Sequence, residues 1–300
     1  MTAQVIDGRA VAQAVRIELR ERTRRLRARG IVPGLAVLIV GDDPASAVYV
    51  RQKTRACEEV GVHAEVHAFP ADVAQAVVVQ RIRELNDDPR IHGMIVQLPL
   101  PAHLEIRPIL ESIAVAKDVD GFHLYNVGAL VIGHGDSVFP PCTPYGVMRL
   151  LEHAGIAIEG QNAVVVGASN IVGKPMGLML LQRGATVSIC HIKTRDLAQF
   201  TVLADILVVA AGCPNLIRPD MVKPGAVVID VGINRLPDGR VVGDVDFAGV
   251  KDKAGFITPV PGGVGPMTVA MLIRNTVRAA ERVAGSIEPD EVEEALSGEP

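Results

Sequence analysis

The 300-residue sequence lacks the features that mark several classes of protein. None of its four cysteines lies in a CxxC pair, so reduced thiols are expected rather than a disulfide framework. No charged start followed by an apolar segment marks a signal peptide, and no apolar run approaches the roughly 18 residues of a membrane span. We therefore expect a cytoplasmic protein with no membrane partner. The cysteines are Cys57, Cys142, Cys190 and Cys213.

The sequence also lacks an excess of either charge. Thirty Lys and Arg residues against 34 Asp and Glu residues give a net charge of −4, which argues against a nucleic-acid-binding face. One basic run lies on a helical segment that also contains Glu18 and Glu21, and we interpret it as a solvated helix face rather than a binding patch. Its members are Arg20, Arg22, Arg24, Arg25, Arg27 and Arg29.

The apolar pattern predicts an α/β fold with two domains. Apolar runs typical of buried strands alternate with segments of helical spacing, which favours parallel strands joined by crossover helices. We place a Rossmann-like domain at 144–265 and the other domain at 1–143 plus 266–300, because the last helix is expected to pack back on the first half. The acidic tail after Ser286 is expected to fray. The predicted strands cover 35–40, 63–69, 93–101, 162–167, 185–190, 205–212 and 226–232.

A nucleotide signal lies in the second series, in VVVGASNIVGKPMG (Val164–Gly177). A strand ends at Gly167 and a helix begins near Gly173, which allows phosphates to approach the backbone and the helix N-terminus, where Ser169 can add a hydroxyl donor. The spacing matches neither GxGxxG nor a P-loop, so an ordinary strand–turn–helix joint stays an alternative. The next strand ends without an acidic residue. Lys193 and Arg195 would instead attract a 2′-phosphate, which favours NADP over NAD unless both are merely surface cations.

The segment YVRQKTRACEEV (Tyr49–Val60) predicts a helix with a lysine on its apolar side. At about 100° per residue, Lys53 falls within an arc that also contains Tyr49, and four charged residues fall opposite it. A lysine here either extends its ammonium group to the solvent at the helix edge or lines a cleft. In a cleft the amine is partly removed from water, which makes it suitable for proton transfer. The arc is completed by Val50, Ala56, Cys57 and Val60, and the opposite side by Arg51, Arg55, Glu58 and Glu59.

Three further segments are candidates for the site. Gln97 follows a predicted strand at its carboxyl end, where parallel sheets bind ligands, although a loop could equally satisfy its amide. Asp120 precedes a glycine in KDVDGF, where it could hold the amide and amino groups of a heterocycle or simply cap a turn. PGGVGPMT (Pro261–Thr268) could pass close to a ligand or act as a plain turn before a helix.

Six segments in order resemble the methylenetetrahydrofolate dehydrogenase/cyclohydrolases: YVRQKTRAC, MIVQLPLP, KDVDGF, VVVGASNIVGKPMG, VIDVGIN and TPVPGGVGPMTVA. The resemblance runs from about Ile6 to about Arg282. It implies two α/β domains with a cleft between them and, usually, a homodimer. It also implies oxidation of 5,10-methylenetetrahydrofolate by NADP and hydrolysis of the 5,10-methenyl product to 10-formyltetrahydrofolate. No metal is required, and PCTP (Pro141–Pro144) lacks the second cysteine of a zinc deaminase.

The resemblance implies a role for each candidate residue. Lys53 is the general acid and base of the hydrolysis, Tyr49 stacks on the folate ring, and Gln97 hydrogen-bonds Lys53, while Asp120 holds the pterin. Ile192 departs from the family, because many relatives have a serine there that could bind the 2′-phosphate. A dehydrogenase without cyclohydrolase activity and a regulatory nucleotide-binding protein are the competing hypotheses. The implied nucleotide contacts are Gly167, Ala168, Ser169, Ile192, Lys193 and Ile233, and the implied folate contacts also include Val96, Leu98, Pro261, Gly262, Gly263 and Val264.

Overall fold

A computed structural model describes residues 2–133 and 139–285, and these residues form two compact units. The three-strand unit comprises residues 14–133, 139–142 and 269–285, and the six-strand unit comprises residues 2–13 and 143–268. The acidic tail after Ser286, predicted to fray, lies outside the described residues. In the described part of the chain, no helix is long and apolar enough to cross a membrane.

The three-strand unit contains a parallel sheet in the order β3–β2–β4. Every residue of the central strand β2 is buried, as a continuous apolar run predicts for a strand covered on both faces. Helix α2 begins after Asp43, whose carboxylate accepts a hydrogen bond from the backbone N of Ser46 at 2.7 Å. The elements are β2 (Gly34–Val40), α2 (Pro44–Val60), β3 (His63–Phe69), α3 (Gln75–Asp87), β4 (Gly93–Val96), α4 (Ile106–Glu111) and α5 (Leu124–Ile132).

The six-strand unit contains a second parallel sheet in the order β1–β11–β8–β7–β5–β6. Strands β7 and β8 are fully buried, and an apolar core packs against one side of the sheet. The elements are β1 (Gln4–Val5), α6 (Cys142–His153), β5 (Asn162–Val166), α7 (Gly173–Gln182), β6 (Thr186–Cys190), α8 (Ala198–Thr201), β7 (Ile206–Val209), β8 (Val227–Asp230), β9 (Asn234–Arg235), β10 (Val241–Val242), α9 (Phe247–Lys251) and β11 (Phe256–Ile257).

The chain passes from one unit to the other within two helices, α1 (Gly8–Ala28) and α10 (Val264–Val283), and also at the first residue of α6. The predicted division placed residues 1–13 with the first domain, whereas the structure groups residues 2–13 with the six-strand unit. The physical reason is that β1 pairs in parallel with β11, with Gln4 opposite Phe256. A strand of two residues has no periodicity from which its partner could be predicted.

The basic run of α1 is not uniformly solvated, which corrects the interpretation of Arg22. Its side chain is 7% exposed and forms a bidentate pair with Glu281 of α10, with N–O distances of 2.9 and 2.6 Å. A periodic pattern of charges shows which helix face a residue occupies but not which buried partner it will meet. Arg24, by contrast, is 74% exposed and pairs with Glu21 on the same helix.

Candidate active site

Lys53 and Gln97 meet in the three-strand unit. The Nζ of Lys53 donates a hydrogen bond to Oε1 of Gln97 at 3.1 Å. The Nε2 of Gln97 donates to the carbonyl of Leu98 at 2.7 Å, so the amide is oriented with its oxygen toward the lysine. Because Gln97 directly follows β4, its backbone N is also held, by the carbonyl of Leu38 on the neighbouring strand. The sheet edge therefore fixes the glutamine, and the glutamine restricts the ammonium group.

Helix α2 presents Lys53 as the predicted arc requires. Val50, Cys57 and Val60 are buried, whereas the four charged residues predicted on the opposite side are exposed. Lys53 itself is half-buried. Tyr49, one turn earlier on the same helix, is 36% exposed, so its ring has a free face that an aromatic ligand could cover.

Asp120 lies beside this lysine. Burial raises the pKa of the Asp120 carboxyl group, and the positive charge of Lys53 opposes that shift. Its neighbour Cys142 is fully buried, and burial followed by the nearby Asp120 charge raises the pKa of that thiol well above its ordinary value. A carboxylate, an ammonium group and a primary amide thus occupy one polar site. Val96 is buried, and Leu98 is half-buried with its carbonyl engaged by Gln97.

Sequence reasoning missed Asn275 as a residue that supports this site. Its side-chain Nδ2 donates to the carbonyls of Val119 and Pro140 at 2.9 and 3.2 Å, and it lies 3.7 Å from the sulfur of Cys142. Asn275 is completely buried on α10 and so ties the segment before Asp120 to a helix far away in the sequence. No pattern in the sequence singles it out, because Arg274, Thr276 and Arg278 of the same helix are also polar and buried.

The glycine turn predicted to bind a nucleotide is present in the six-strand unit. Gly167 follows β5 with φ of 122°, and a Cβ built on it would collide with the carbonyl oxygen of Ala210. The hydroxyl oxygen of Ser169 accepts hydrogen bonds from the backbone N atoms of Val172 and Gly173 at 3.1 and 3.3 Å. This arrangement leaves the hydroxyl proton of Ser169 free to donate to an acceptor, as a phosphate-binding turn requires.

The other predicted nucleotide residues follow strand ends of the same parallel sheet, whose carboxyl ends share one edge. Lys193 and Ile192 follow β6, and both side chains are exposed. Ile233 follows β8, is 49% exposed and lies 3.8 Å from a Cβ built on Gly265. The described chain offers Lys193 and Arg195 no ion-pairing partner, so both cations remain available to an anion. These residues fit a phosphorylated nucleotide.

The segment Pro261–Val264 connects β11 to α10 in the six-strand unit. Gly262 has φ of 111°, and Gly263 is buried so closely that a Cβ would lie 2.6 Å from the carbonyl oxygen of Pro259. Pro261 is exposed, whereas Val264 is buried at 3% exposure. The structure therefore places this predicted folate segment and the Lys53 site in different units.

The parallel sheet with its glycine turn, together with a lysine-centred polar site, defines a nucleotide-dependent α/β enzyme. Two family models match the chain: the tetrahydrofolate dehydrogenase/cyclohydrolase catalytic domain over residues 6–120, and the NAD(P)-binding domain of the same family over residues 141–284. The chain belongs to the tetrahydrofolate dehydrogenase/cyclohydrolase family.

Individual relatives agree with this assignment over nearly the whole chain. A bifunctional protein FolD of Nitrosospira multiformis is 64% identical over 94% of this chain and 97% of its own length. Among solved structures, a FolD dehydrogenase/cyclohydrolase of Campylobacter jejuni is 53% identical with a TM-score of 0.92, covering 94% of this chain and 99% of its own. A Trypanosoma brucei FolD solved with NADP and an inhibitor is 40% identical with a TM-score of 0.91, covering 95% and 99%.

The chain is therefore a bifunctional enzyme of folate one-carbon metabolism. It oxidises 5,10-methylenetetrahydrofolate to 5,10-methenyltetrahydrofolate with a nicotinamide nucleotide, and it hydrolyses the methenyl product to 10-formyltetrahydrofolate.

Proposed function

We propose that Lys53, Gln97, Asp120 and Tyr49 form the folate site of this enzyme and that NADP is its nucleotide. The observation that carries the proposal is the hydrogen bond of 3.1 Å between Lys53 and Gln97 beside the half-buried side chain of Asp120. The amide of Gln97, itself held by the carbonyl of Leu98, orients the amine of Lys53 next to the carboxyl group that is proposed to bind the folate.

In the hydrolytic step, Lys53 acts first as a general base and then as a general acid. Water adds to the electrophilic methenyl carbon, and the neutral amine of Lys53 accepts a proton from it. As the bond from that carbon to N5 of the folate breaks, the ammonium returns a proton to N5 and the hydroxyl becomes the formyl carbonyl. One proton leaves to solvent in the net reaction. Because the oxygen of Gln97 faces Lys53, it keeps the amine in place through both transfers.

Asp120 and Tyr49 bind the substrate in this proposal. The carboxylate of Asp120 accepts hydrogen bonds from the amide and amino groups of the pterin, and its location next to Lys53 brings the heterocycle to the reacting amine. The exposed ring of Tyr49 stacks on the folate ring. Val96, Leu98 and the segment from Pro261 to Val264 remain predicted folate contacts.

NADP, when bound, accepts the hydride from the methylene carbon of the folate. Gly167, Ala168, Ser169 and Ile233 would hold it, with the hydroxyl of Ser169 donating to a phosphate. Lys193 selects for the 2′-phosphate, since it is exposed at the end of β6 and no acidic residue stands in its place. Ile192, fully exposed, supplies no hydrogen bond, and the preference for NADP therefore depends on the cations.

The enzyme is also proposed to be a cytoplasmic homodimer. All four cysteines are free, which suits a reducing compartment. Strand β3 is an edge strand that pairs only with β2 among the described strands, so its outer side offers backbone groups to a second copy. Light scattering after gel filtration would test the dimer, and the mass of a single chain would contradict it.

One experiment tests the activity and the nucleotide together. Purified protein is given 5,10-methylenetetrahydrofolate with NADP or with NAD, and the methenyl and formyl products are measured separately. We expect both products and higher catalytic efficiency with NADP. Equal efficiency with NAD would contradict the role of Lys193, and methenyl accumulation at the rate of uncatalysed hydrolysis would leave a dehydrogenase alone. No turnover with either nucleotide would overturn the whole proposal.

A further inference from the structure

The six-strand unit contains a fully buried carboxylate that neither the nucleotide turn nor the folate residues account for. Asp244, in the segment after β10, accepts four hydrogen bonds. Its Oδ2 accepts from the backbone N atoms of Ala211 and Gly212 at 2.7 and 2.9 Å. Its Oδ1 accepts from the backbone N of Cys213 and from the side-chain Nδ2 of Asn234, at 2.9 and 2.8 Å.

These donors come from two loops at the carboxyl edge of the sheet. Ala211, Gly212 and Cys213 follow β7 and are exposed, so this loop has no buried side chain of its own to anchor it. Asn234 follows the loop after β8 and adjoins Ile233. A single side chain therefore turns the backbone N–H groups of one loop inward and ties the second loop to the first.

A second buried carboxylate holds Asp244 in turn. Asp230, the last residue of β8, accepts hydrogen bonds from the backbone N atoms of Asp244 and Val245 at 3.0 and 2.9 Å. It also accepts from the backbone N of Gly232 at 2.9 Å. A Cβ at Gly232 would collide with the carboxylate of Asp244, so this position leaves room only for glycine. Asp230 at the end of β8 thus holds the backbone of Asp244, and the side chain of Asp244 holds the loop after β7.

We propose that Asp244 is a positioning residue for nucleotide binding, acting through the loops at 211–213 and 232–234. The inference rests on the proposed nucleotide site, because that site uses Ile233 and the carboxyl edge of the same sheet. Ligands of open parallel sheets bind at this edge, and the loops that receive them must keep one conformation to bind well. Asp244 provides that conformation without contacting the nucleotide itself.

The four donors match the acceptor capacity of a carboxylate. Each carboxylate oxygen has two lone pairs, and each accepts two hydrogen bonds here. In Asp244→Asn, an NH2 group would face two N–H donors whichever way the amide turned. At least two of the four hydrogen bonds would be lost, although the side chain keeps its size.

The test compares Asp244→Asn with Asp246→Asn. The control makes the same substitution two residues later, at a carboxylate that caps α9 through the backbone N of Gly249 at 3.3 Å and, among the described residues, accepts no hydrogen bond from either loop. NADP binding is measured by titration calorimetry. Cyclohydrolase activity is measured with added 5,10-methenyltetrahydrofolate and no nucleotide. Dehydrogenase turnover is measured at several NADP concentrations.

We expect Asp244→Asn to weaken NADP binding by about tenfold or more, since it removes charge-assisted hydrogen bonds, and to raise the KM for NADP in parallel. Cyclohydrolase activity should stay within about threefold of wild type. Unfolding of the whole protein would instead abolish this activity together with NADP binding. Asp246→Asn should match wild type in all three assays. NADP affinity within twofold of wild type in Asp244→Asn would overturn the inference, as would equal losses of binding and cyclohydrolase activity in a folded variant.

A milder variant keeps the inference testable if Asp244→Asn does not fold. Asn234→Ala removes one of the four donors and leaves the carboxylate in place, so a smaller loss of NADP affinity, about threefold, is expected. Unchanged affinity in Asn234→Ala would then count against the inference. Failure of wild type to bind NADP at all is a different outcome, because it would refute the proposed nucleotide and not the support by Asp244.

Discussion

The substitution Gln97→Met tests the centre of the proposed folate site. Methionine has nearly the length of glutamine but cannot accept the hydrogen bond from Lys53 Nζ, which is 3.1 Å long, or donate to the carbonyl of Leu98. A hydrogen bond to a charged group contributes roughly 1.5–3 kcal/mol, and each 1.4 kcal/mol corresponds to about a factor of ten in rate. We therefore expect cyclohydrolase activity to fall by about 10- to 100-fold, toward the lower figure because Lys53 is only half-buried.

The assay follows hydrolysis of 5,10-methenyltetrahydrofolate after subtraction of the uncatalysed rate. Gln52→Met is the matched control, since Gln52 is exposed on α2 one residue before Lys53. Hydride transfer requires positioning rather than an acid or base, so dehydrogenase activity should fall less than hydrolysis in Gln97→Met. Cyclohydrolase activity in Gln97→Met within twofold of the Gln52→Met control would refute the reasoning.

Three further substitutions test separate parts of the molecule. Lys53→Met should abolish hydrolysis while folate and NADP binding survive in calorimetry, since the variant loses the proton carrier and keeps the other contacts. Gly167→Ala should weaken NADP binding by at least about tenfold, because a methyl group at φ of 122° collides with the carbonyl oxygen of Ala210, just after β7, and displaces the turn. Arg22→Met should destabilise the fold by about 3–5 kcal/mol in urea unfolding, because it leaves the buried carboxylate of Glu281 without its partner.

Each of these predictions has a control in the same chain. Near wild-type formyl production by Lys53→Met would refute its role as acid and base. Gly155→Ala places alanine at another positive φ, 66°, in open space, and equal NADP affinity in the two alanine variants would contradict the close-approach argument. Arg24→Met removes an exposed pair and should cost less than about 1 kcal/mol, so a similar loss in both arginine variants would contradict the burial argument.

Much of the local structure follows from the sequence pattern. The strand predicted at 63–69 matches β3, and the helix predicted over Tyr49–Val60 lies within α2, because alternation and helical spacing depend on neighbours in the chain. The arc of α2 likewise placed Lys53 among buried residues. The ordered motifs identified the family, and the two family models agree with it.

Contacts between distant segments were not predictable in the same way. Three contacts join residues more than a hundred positions apart. Strand β1 pairs with β11, Asn275 donates a hydrogen bond to the segment before Asp120, and Arg22 pairs with Glu281. Periodicity carries no information about such pairs, since it records only which side of an element is apolar.

The sequence alone determined which residues could carry the chemistry, because residue type and local spacing limit what a lysine, an amide or a glycine turn can do. Only the tertiary structure decided which groups hold them in place. Gln97 is oriented by the carbonyl that follows the end of its strand, and the loop at 211–213 is held by Asp244, which lies 31 to 33 residues further on. The reason is physical: a buried polar group needs a partner in space, and the folded chain, rather than the order of its residues, supplies that partner.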